Sequence, residues 1–134
     1  MTDINTVKEF WEDNPLWSGE SGHKEGSKEF YLEHRKIYFE DCFAGDFDIR
    51  FLPPPRINGQ NLKVLDLGCG IGFWSTEFAM RGYGNLYAAD LTKKALMLTE
   101  SRLKIYGVTA KLSQQNAEKT TFDYSFLITL IVKG

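Results

Sequence analysis

Apolar residues in the first half of the chain recur at the spacing of α-helices. A short stripe over residues 7–11 ends at Pro15, a residue that interrupts helices. A second stripe follows Ser27, a residue type that commonly caps a helix. The pattern predicts two helices, then a stiff PPP connector at residues 53–55 and a turn over residues 57–61.

From Leu62 onward, short apolar runs alternate with segments of helical periodicity. The runs predict four strands, at residues 62–67, 85–90, 108–113 and 122–132. The segments between the first three runs predict helices over about residues 72–81 and 92–107. Strands that alternate with helices at this spacing indicate parallel βαβ units. We therefore expect an α/β fold with a doubly wound, mostly parallel, Rossmann-like sheet.

Composition narrows the class of protein. The chain has 134 residues, 43% of them hydrophobic, and a formal charge of −2, which is typical of one soluble domain. This charge balance argues against a protein that coats nucleic acid or an anionic membrane. Cys42 and Cys69 are too few for a disulfide scaffold or a zinc site, so we expect no metal. Without a long apolar run or a secretory signal, a cytoplasmic location is expected.

The segment VLDLGCGIGFWS, residues 64–75, is the most informative part of the chain. A predicted strand leads into Gly68, Gly70 and Gly72, and a predicted helix follows at once. Alternate glycines allow a tight turn and let a ligand approach the backbone closely. The N-terminus of the helix favours an anionic group, a phosphate or a carboxylate. No Gly-Lys-Ser/Thr closes the segment, so it is not a P-loop.

A second candidate residue is Asp90, at the end of the next predicted strand. In a βαβ unit this position places a carboxylate beside the tip of the first strand, where it can accept hydrogen bonds from ribose hydroxyls. The two features together predict a ligand that contains a nucleoside. A dinucleotide fingerprint would use Gly70 and Gly72 with Ser75 in the place of the third glycine, which is an imperfect match. An NAD-dependent oxidoreductase fragment therefore stays open.

The stretch from Asp66 to Gly72 resembles motif I of class I S-adenosylmethionine-dependent methyltransferases, D/E-x-G-x-G-x-G. The resemblance extends to Asp90, to QNAE after the third predicted strand (115–118), and to FDY at the start of the fourth (122–124). It implies methyl transfer from the sulfonium of S-adenosylmethionine to an acceptor, with S-adenosylhomocysteine as the product. We expect a small-molecule acceptor rather than nucleic acid.

The resemblance also implies a role for each matched residue. Around the methionyl part of the cofactor it places Asp66, Gly68, Cys69 and Gly70, and it makes Gly72 the residue that opens the helix. Around the adenosine it places Asp90, Leu91, Asn116 and Ala117. It assigns no catalytic residue. His23 and His34 are candidate general bases, and Tyr31, Arg35 and Tyr38 are candidate acceptor contacts or simply packing residues.

The pattern predicts a single methyltransferase-like domain over residues 1–134, with an N-terminal helical cap (1–55) and a cofactor-binding core (62–134). Family members usually have seven core strands, whereas four are predicted here, so we expect truncation after the fourth strand. A catalytically incomplete cofactor-binding module or partner subunit is therefore an alternative. The fourth strand would then have an open edge, which suggests a homo-oligomer. A clean monomer by light scattering at high concentration would contradict that suggestion.

Overall fold

The computed structural model describes residues 3–13, 21–45, 52–116 and 126–129. The helices in this part of the chain are α1 (Ile4–Asp13), α2 (Lys28–Phe43), α3 (Phe73–Met80) and α4 (Lys93–Ile105). The strands are β1 (Arg56–Ile57), β2 (Gln60–Asn61), β3 (Lys63–Leu67), β4 (Asn85–Asp90), β5 (Lys111–Gln114) and β6 (Phe126–Thr129). The alternation of strands and helices from β3 onward confirms the predicted α/β class.

A parallel sheet with the strand order β5-β4-β3-β6 forms the centre of the fold. From β3 the chain moves to one side through α3, β4, α4 and β5, and β6 then pairs with the other side of β3. This reversal confirms the predicted doubly wound topology. In such sheets ligands bind outside the carboxyl ends of the strands where the order reverses, which here means beyond the end of β3.

The third predicted strand begins later than expected, and the fourth is described only in part. The third strand was expected to begin at residue 108, but β5 begins at Lys111. The physical reason is that Val108 still belongs to the end of α4, since its N–H donates to the carbonyl oxygen of Leu103 at 3.0 Å. Of the fourth predicted strand, only residues 126–129 lie in the described part of the chain. The FDY motif at residues 122–124 lies outside it.

The predicted turn over residues 57–61 is a β-hairpin that joins β1 to β2. Asn58 and Gly59 both have positive φ angles, 52° and 77°, as a two-residue hairpin turn of type I′ requires. The preceding connector is fixed to the core, because the hydroxyl of Tyr83 donates to the carbonyl oxygen of Pro53.

Helix α2 lies across α3 and α4 and shields their buried faces. Ser27 caps it as predicted, by accepting a hydrogen bond from the N–H of Phe30. The ring of Tyr38 stacks on Phe73 of α3 with the centroids 4.0 Å apart. The hydroxyl of Tyr31 donates to the carbonyl oxygen of Leu98 in α4 at 2.6 Å. The predicted N-terminal helical cap is thus present and is anchored to the layer of helices beside the sheet.

Helix α1 contacts α4 through Glu12. The carboxylate of Glu12 accepts hydrogen bonds from the N–H groups of Lys93 and Lys94, at 3.1 and 3.0 Å. Pro15, which was expected to end α1, lies outside the described residues. Among the helices that the structure describes, none has the length and apolarity needed to cross a membrane.

Candidate cofactor-binding site

The glycine loop, residues 68–72, connects the end of β3 to the start of α3. Gly68, Gly70 and Gly72 have φ angles of 70°, 56° and 82°, a region that other residues rarely adopt. A side chain at Gly68 would meet no atom within 4 Å, so the backbone there borders open space. A side chain at Gly72 would instead lie 2.8 Å from the Cγ2 atom of Thr99. The loop is therefore open at its first glycine and closely packed at its last.

Backbone hydrogen bonds fix this loop to the end of β4. The N–H groups of Gly68 and Cys69 both donate to the carbonyl oxygen of Ala89, at 2.8 and 2.9 Å. The N–H of Gly70 donates to the Oδ2 atom of Asp90 at 3.0 Å. The sequence predicted the glycines and Asp90 to be neighbours, and the structure brings them into direct contact.

The half-buried carboxylate of Asp90 is held in one orientation. Its Oδ2 atom accepts from Gly70, and its Oδ1 atom accepts from the N–H and the hydroxyl of Thr92, at 3.1 and 3.3 Å. A carboxylate offers about four acceptor positions, so one remains on Oδ2. Asp90 is therefore oriented by the protein and can still accept a hydrogen bond from a ligand hydroxyl.

The residues predicted to surround the adenine follow β4 and β5, two neighbouring parallel strands. Asp90 pairs with Gln114, and the carbonyl oxygen of Asp90 accepts from the N–H of Gln115 at 2.9 Å. The side chain of Gln114 donates to the carbonyl oxygen of Leu91, also at 2.9 Å. Asn116 comes two residues after Gln114 and is half-buried. Asp90, Leu91 and Asn116 thus share one edge of the sheet, whereas Ala117 lies outside the described residues.

Asp66 and Cys69 face inward. Asp66 is fully buried, and its Oδ2 atom accepts from the hydroxyl of Ser75 at 2.7 Å, which ties β3 to the first turn of α3. The Sγ atom of Cys69 is buried 3.5 Å from the Oγ1 atom of Thr99. These side chains shape the loop from beneath, and a contact between Asp66 and the methionine amino group stays a prediction.

His34 lies on the buried face of α2 and packs in the protein interior. Its Nδ1 atom is 3.0 Å from the Nη1 atom of Arg102. A guanidinium can only donate hydrogen bonds, so Nδ1 is the acceptor. Burial, and then the nearby charge of Arg102, lowers the pKa of His34 from 6.5 to about 3. His23 lies in an exposed loop, 3.2 Å from a carboxylate oxygen of Glu33. His34 packs on the ring of Phe73 in α3, with the centroids 5.9 Å apart.

The three candidate acceptor contacts, Tyr31, Arg35 and Tyr38, hold α2 in place. Tyr31 is fully buried, and Tyr38 accepts a hydrogen bond from the indole N–H of Trp74 at 3.2 Å. Arg35 pairs with the buried carboxylate of Glu77 in α3, with Nε 2.6 Å from Oε1. The packing interpretation accounts for all of these contacts.

Two residues that support the candidate site were not predicted from the sequence. Thr99 donates its hydroxyl to the carbonyl oxygen of Gly70 at 2.9 Å, and Gln114 fixes the backbone of Leu91. Thr99 could have been found, since it lies on the apolar face of the predicted helix, where a buried hydroxyl needs a partner. The part of the chain that the structure describes contains no cluster of three or more His, Cys, Asp or Glu side chains able to hold a metal ion.

A family model described as a methyltransferase domain matches residues 64–133, just over half of the chain. The chain belongs to this methyltransferase domain family. The match begins in β3 and includes the glycine loop, Asp90 and Asn116. It confirms the predicted relationship to methyltransferases that use S-adenosylmethionine. A search of curated proteins gave no match.

Solved structures of methyltransferases are similar to this chain. Magnesium protoporphyrin IX methyltransferase from Synechocystis PCC 6803, with bound S-adenosylhomocysteine, is 18% identical, with a TM-score of 0.58 over 94% of this chain. An S-adenosylmethionine-dependent methyltransferase from Clostridium acetobutylicum is 19% identical, with a TM-score of 0.47 over 69% of this chain. The first similarity supports the methyltransferase fold. The chain spans 57% of the first protein and 39% of the second.

Proposed function

We propose that this methyltransferase domain binds S-adenosylmethionine at the glycine loop and Asp90, and that it takes part in methyl transfer to a small-molecule acceptor. The observation that carries the proposal is the hydrogen bond from the N–H of Gly70 to Asp90, 3.0 Å long. It joins the loop that suits an anionic group to the acid that suits a ribose, at the carboxyl ends of β3 and β4.

The described residues fit the adenosine part of this cofactor. The open position on Oδ2 of Asp90 would accept one ribose hydroxyl. The second hydroxyl would replace the hydroxyl of Thr92, whose 3.3 Å contact is the longest that the carboxylate makes. Leu91 would pack on the adenine face, and Asn116 would contact its edge. The resemblance implies the same contact for Ala117, which lies outside the described residues.

The methionyl part would lie along the glycine loop. Gly68 borders open space, so its backbone can approach a ligand without obstruction by a side chain. Gly68, Cys69 and Gly70 would contact the ligand through their backbone, while Gly72 opens α3. Asp66 would organise the turn from beneath through Ser75. The loop is already fixed to Ala89, so little ordering would be needed when the cofactor binds.

When bound, this cofactor supplies a methyl group on a positively charged sulfur. The contribution of the chain would be to bind and orient the cofactor and to exclude water, since such transfers depend largely on alignment and desolvation. We assign no catalytic residue. Burial, and then the charge of Arg102, lowers the pKa of His34 and keeps it neutral in the core, where it supports the fold rather than the reaction.

A second candidate function is a cofactor-binding module that acts with a partner chain. The comparison of lengths favours it: 94% of this chain matches magnesium protoporphyrin IX methyltransferase, but the match covers only 57% of that protein. Binding of S-adenosylhomocysteine without methylation of any acceptor would distinguish this function from that of a complete enzyme. The division into a helical cap and a cofactor-binding core, the cytoplasmic location and self-association through β6 also stay predictions.

Replacing Asp90 tests the site directly. Asp90→Ala removes the ribose contact and the acceptor of the Gly70 N–H, so we expect S-adenosylhomocysteine to bind at least about tenfold more weakly. Isothermal titration calorimetry gives the dissociation constant. Asp41→Ala is the matched control, because Asp41 is an exposed carboxylate on α2. Equal affinity in the Asp90 and Asp41 variants would contradict the proposed site.

A further inference from the structure

Thr99 is a buried polar residue of α4 that lies against three residues of the glycine loop, Cys69, Gly70 and Gly72. It is fully buried, and its hydroxyl donates to the carbonyl oxygen of Gly70 at 2.9 Å. Its Cα atom lies 3.0 Å from the position that a side chain at Gly72 would occupy. Helix α4 therefore lies directly against the loop at this residue, and the hydroxyl is the polar group that joins them.

The hydrogen-bonding capacity of Thr99 defines the arrangement further. A threonine hydroxyl has one hydrogen, and here Gly70 receives it. The Sγ atom of Cys69 lies 3.5 Å from Oγ1 and 3.9 Å from the same carbonyl oxygen of Gly70. Thr99 thus donates to Gly70 and packs against Cys69. The Thr99 hydroxyl therefore gives the carbonyl oxygen of Gly70 a hydrogen-bond donor on the inner side of the loop.

Gly70 is held from both sides by these contacts. Its N–H donates to Asp90 at 3.0 Å, and its carbonyl oxygen accepts from Thr99 at 2.9 Å. A glycine with a φ of 56° has other backbone conformations available, so these two bonds select the observed one. The bond to Thr99 therefore also helps to keep the Gly70 N–H directed at Asp90.

We propose that Thr99 is a positioning residue for the cofactor: it holds the glycine loop in its binding-competent conformation without touching the ligand. This inference rests on the proposed function, because it makes the Thr99 hydroxyl one cause of the loop's affinity for S-adenosylmethionine. When only a fraction of the protein is competent to bind, the apparent dissociation constant rises in proportion. Loss of the Thr99 hydroxyl lowers that fraction.

The test compares variants that differ by one hydroxyl. Thr99→Val removes the hydroxyl and keeps the shape of the side chain, and we expect S-adenosylhomocysteine to bind about tenfold more weakly, the size of one net hydrogen bond. Thr99→Ser retains the hydroxyl and should restore the affinity. Thr76→Val is the matched control, because Thr76 is also buried and its hydroxyl has no hydrogen-bond partner among the described residues. It should bind the ligand as tightly as the unchanged chain.

Amide hydrogen exchange separates this inference from the proposed function. In Thr99→Val the amide of Gly70 should exchange faster, whereas the amide of Leu65 in β3 should keep its protection. This readout needs no ligand, so it decides whether Thr99 holds the loop even if the unchanged chain binds no S-adenosylhomocysteine. Absence of binding by the unchanged chain would overturn the proposed function alone. Thr99→Ala repeats both measurements if the valine variant does not fold. Unchanged Gly70 exchange, or equal loss of affinity in the Thr76 and Thr99 variants, would overturn the positioning role.

Discussion

At the scale of single residues, the pair formed by His34 and Arg102 has the most unusual environment. Arg102 is fully buried, with its guanidinium 5.3 Å from the ring centre of Tyr31 and 5.4 Å from that of Phe73. Its Nε and Nη2 atoms have no hydrogen-bond partner among the described residues. Burial lowers the pKa of Arg102 to about 10, so it stays charged at neutral pH. His34 must therefore be neutral for the two side chains to lie together.

This pair predicts a loss of stability in mild acid. The pKa of His34 is about 3 in the folded chain, because of burial and then Arg102, against 6.5 in the unfolded chain. Its contribution is fully present above about pH 6.5 and is lost as the pH falls toward 3, since the unfolded chain then binds the additional proton. Between pH 6.5 and pH 5 the free energy of unfolding should fall by about 2 kcal/mol.

Urea unfolding of His34→Gln at the same two pH values measures this effect. The variant should lose about 2 kcal/mol less than the unchanged chain over this interval. His23→Gln is the control, because it alters the histidine of the exposed loop. A pH dependence that His34→Gln leaves unchanged would show that the buried pair is not its source.

At the scale of elements, the start of α4 joins two distant parts of the chain. Ala95 donates its N–H to the hydroxyl of Thr92, and Thr92 donates its own N–H to Asp90. The two N–H groups between them donate to Glu12 of α1. The first turn of α4 is therefore capped partly by its own residues and partly by a helix about 80 residues away in sequence.

Removing the Glu12 carboxylate should weaken both helices. Glu12→Ala leaves two N–H groups of α4 without their acceptor and should cost about 1 kcal/mol of stability. Hydrogen exchange at the amides of Lys93 and Lys94 should become faster. Glu9→Ala removes an exposed charge from the same helix and serves as the control. If both variants change these amides equally, the contact of α1 with α4 is not a cap.

The helices and strands also show which structural features could be predicted from the sequence. Local signals predicted the cap of α2 at Ser27, the start of the α4 helix near residue 92 and the strand β4, because each depends on neighbouring residues. The start of β5 was placed too early, since nothing in the local pattern assigns Val108 to the end of α4. The cap that Glu12 provides to α4 was missed because the two segments meet only after folding. The apolar face of α4 could have marked Thr99 as a buried hydroxyl, but its partner Gly70 becomes its neighbour only after folding.

At the scale of the whole molecule, the sheet and its layer of helices fix where a ligand can bind. The order β5-β4-β3-β6 places the end of β3 at the reversal of the sheet, and α2, anchored to α3 and α4, covers the helical side. The glycine motif and Asp90 could be located from the sequence because this topology follows from the alternation of strands and helices. The burial of Asp66 could not, since its partner Ser75 becomes its neighbour only when α3 forms.

We propose that the glycine loop and Asp90 bind S-adenosylmethionine rather than a dinucleotide, because residues 66–72 resemble the methyltransferase motif and Ser75 occupies the place of the third dinucleotide glycine. The most direct measurement is calorimetric titration of the purified chain with S-adenosylhomocysteine, with NAD titrated in parallel and as a competitor. Under the proposed function, we expect saturable binding of S-adenosylhomocysteine at one site per chain, unaffected by NAD. Binding of NAD that displaces S-adenosylhomocysteine, or binding of neither compound, would contradict it.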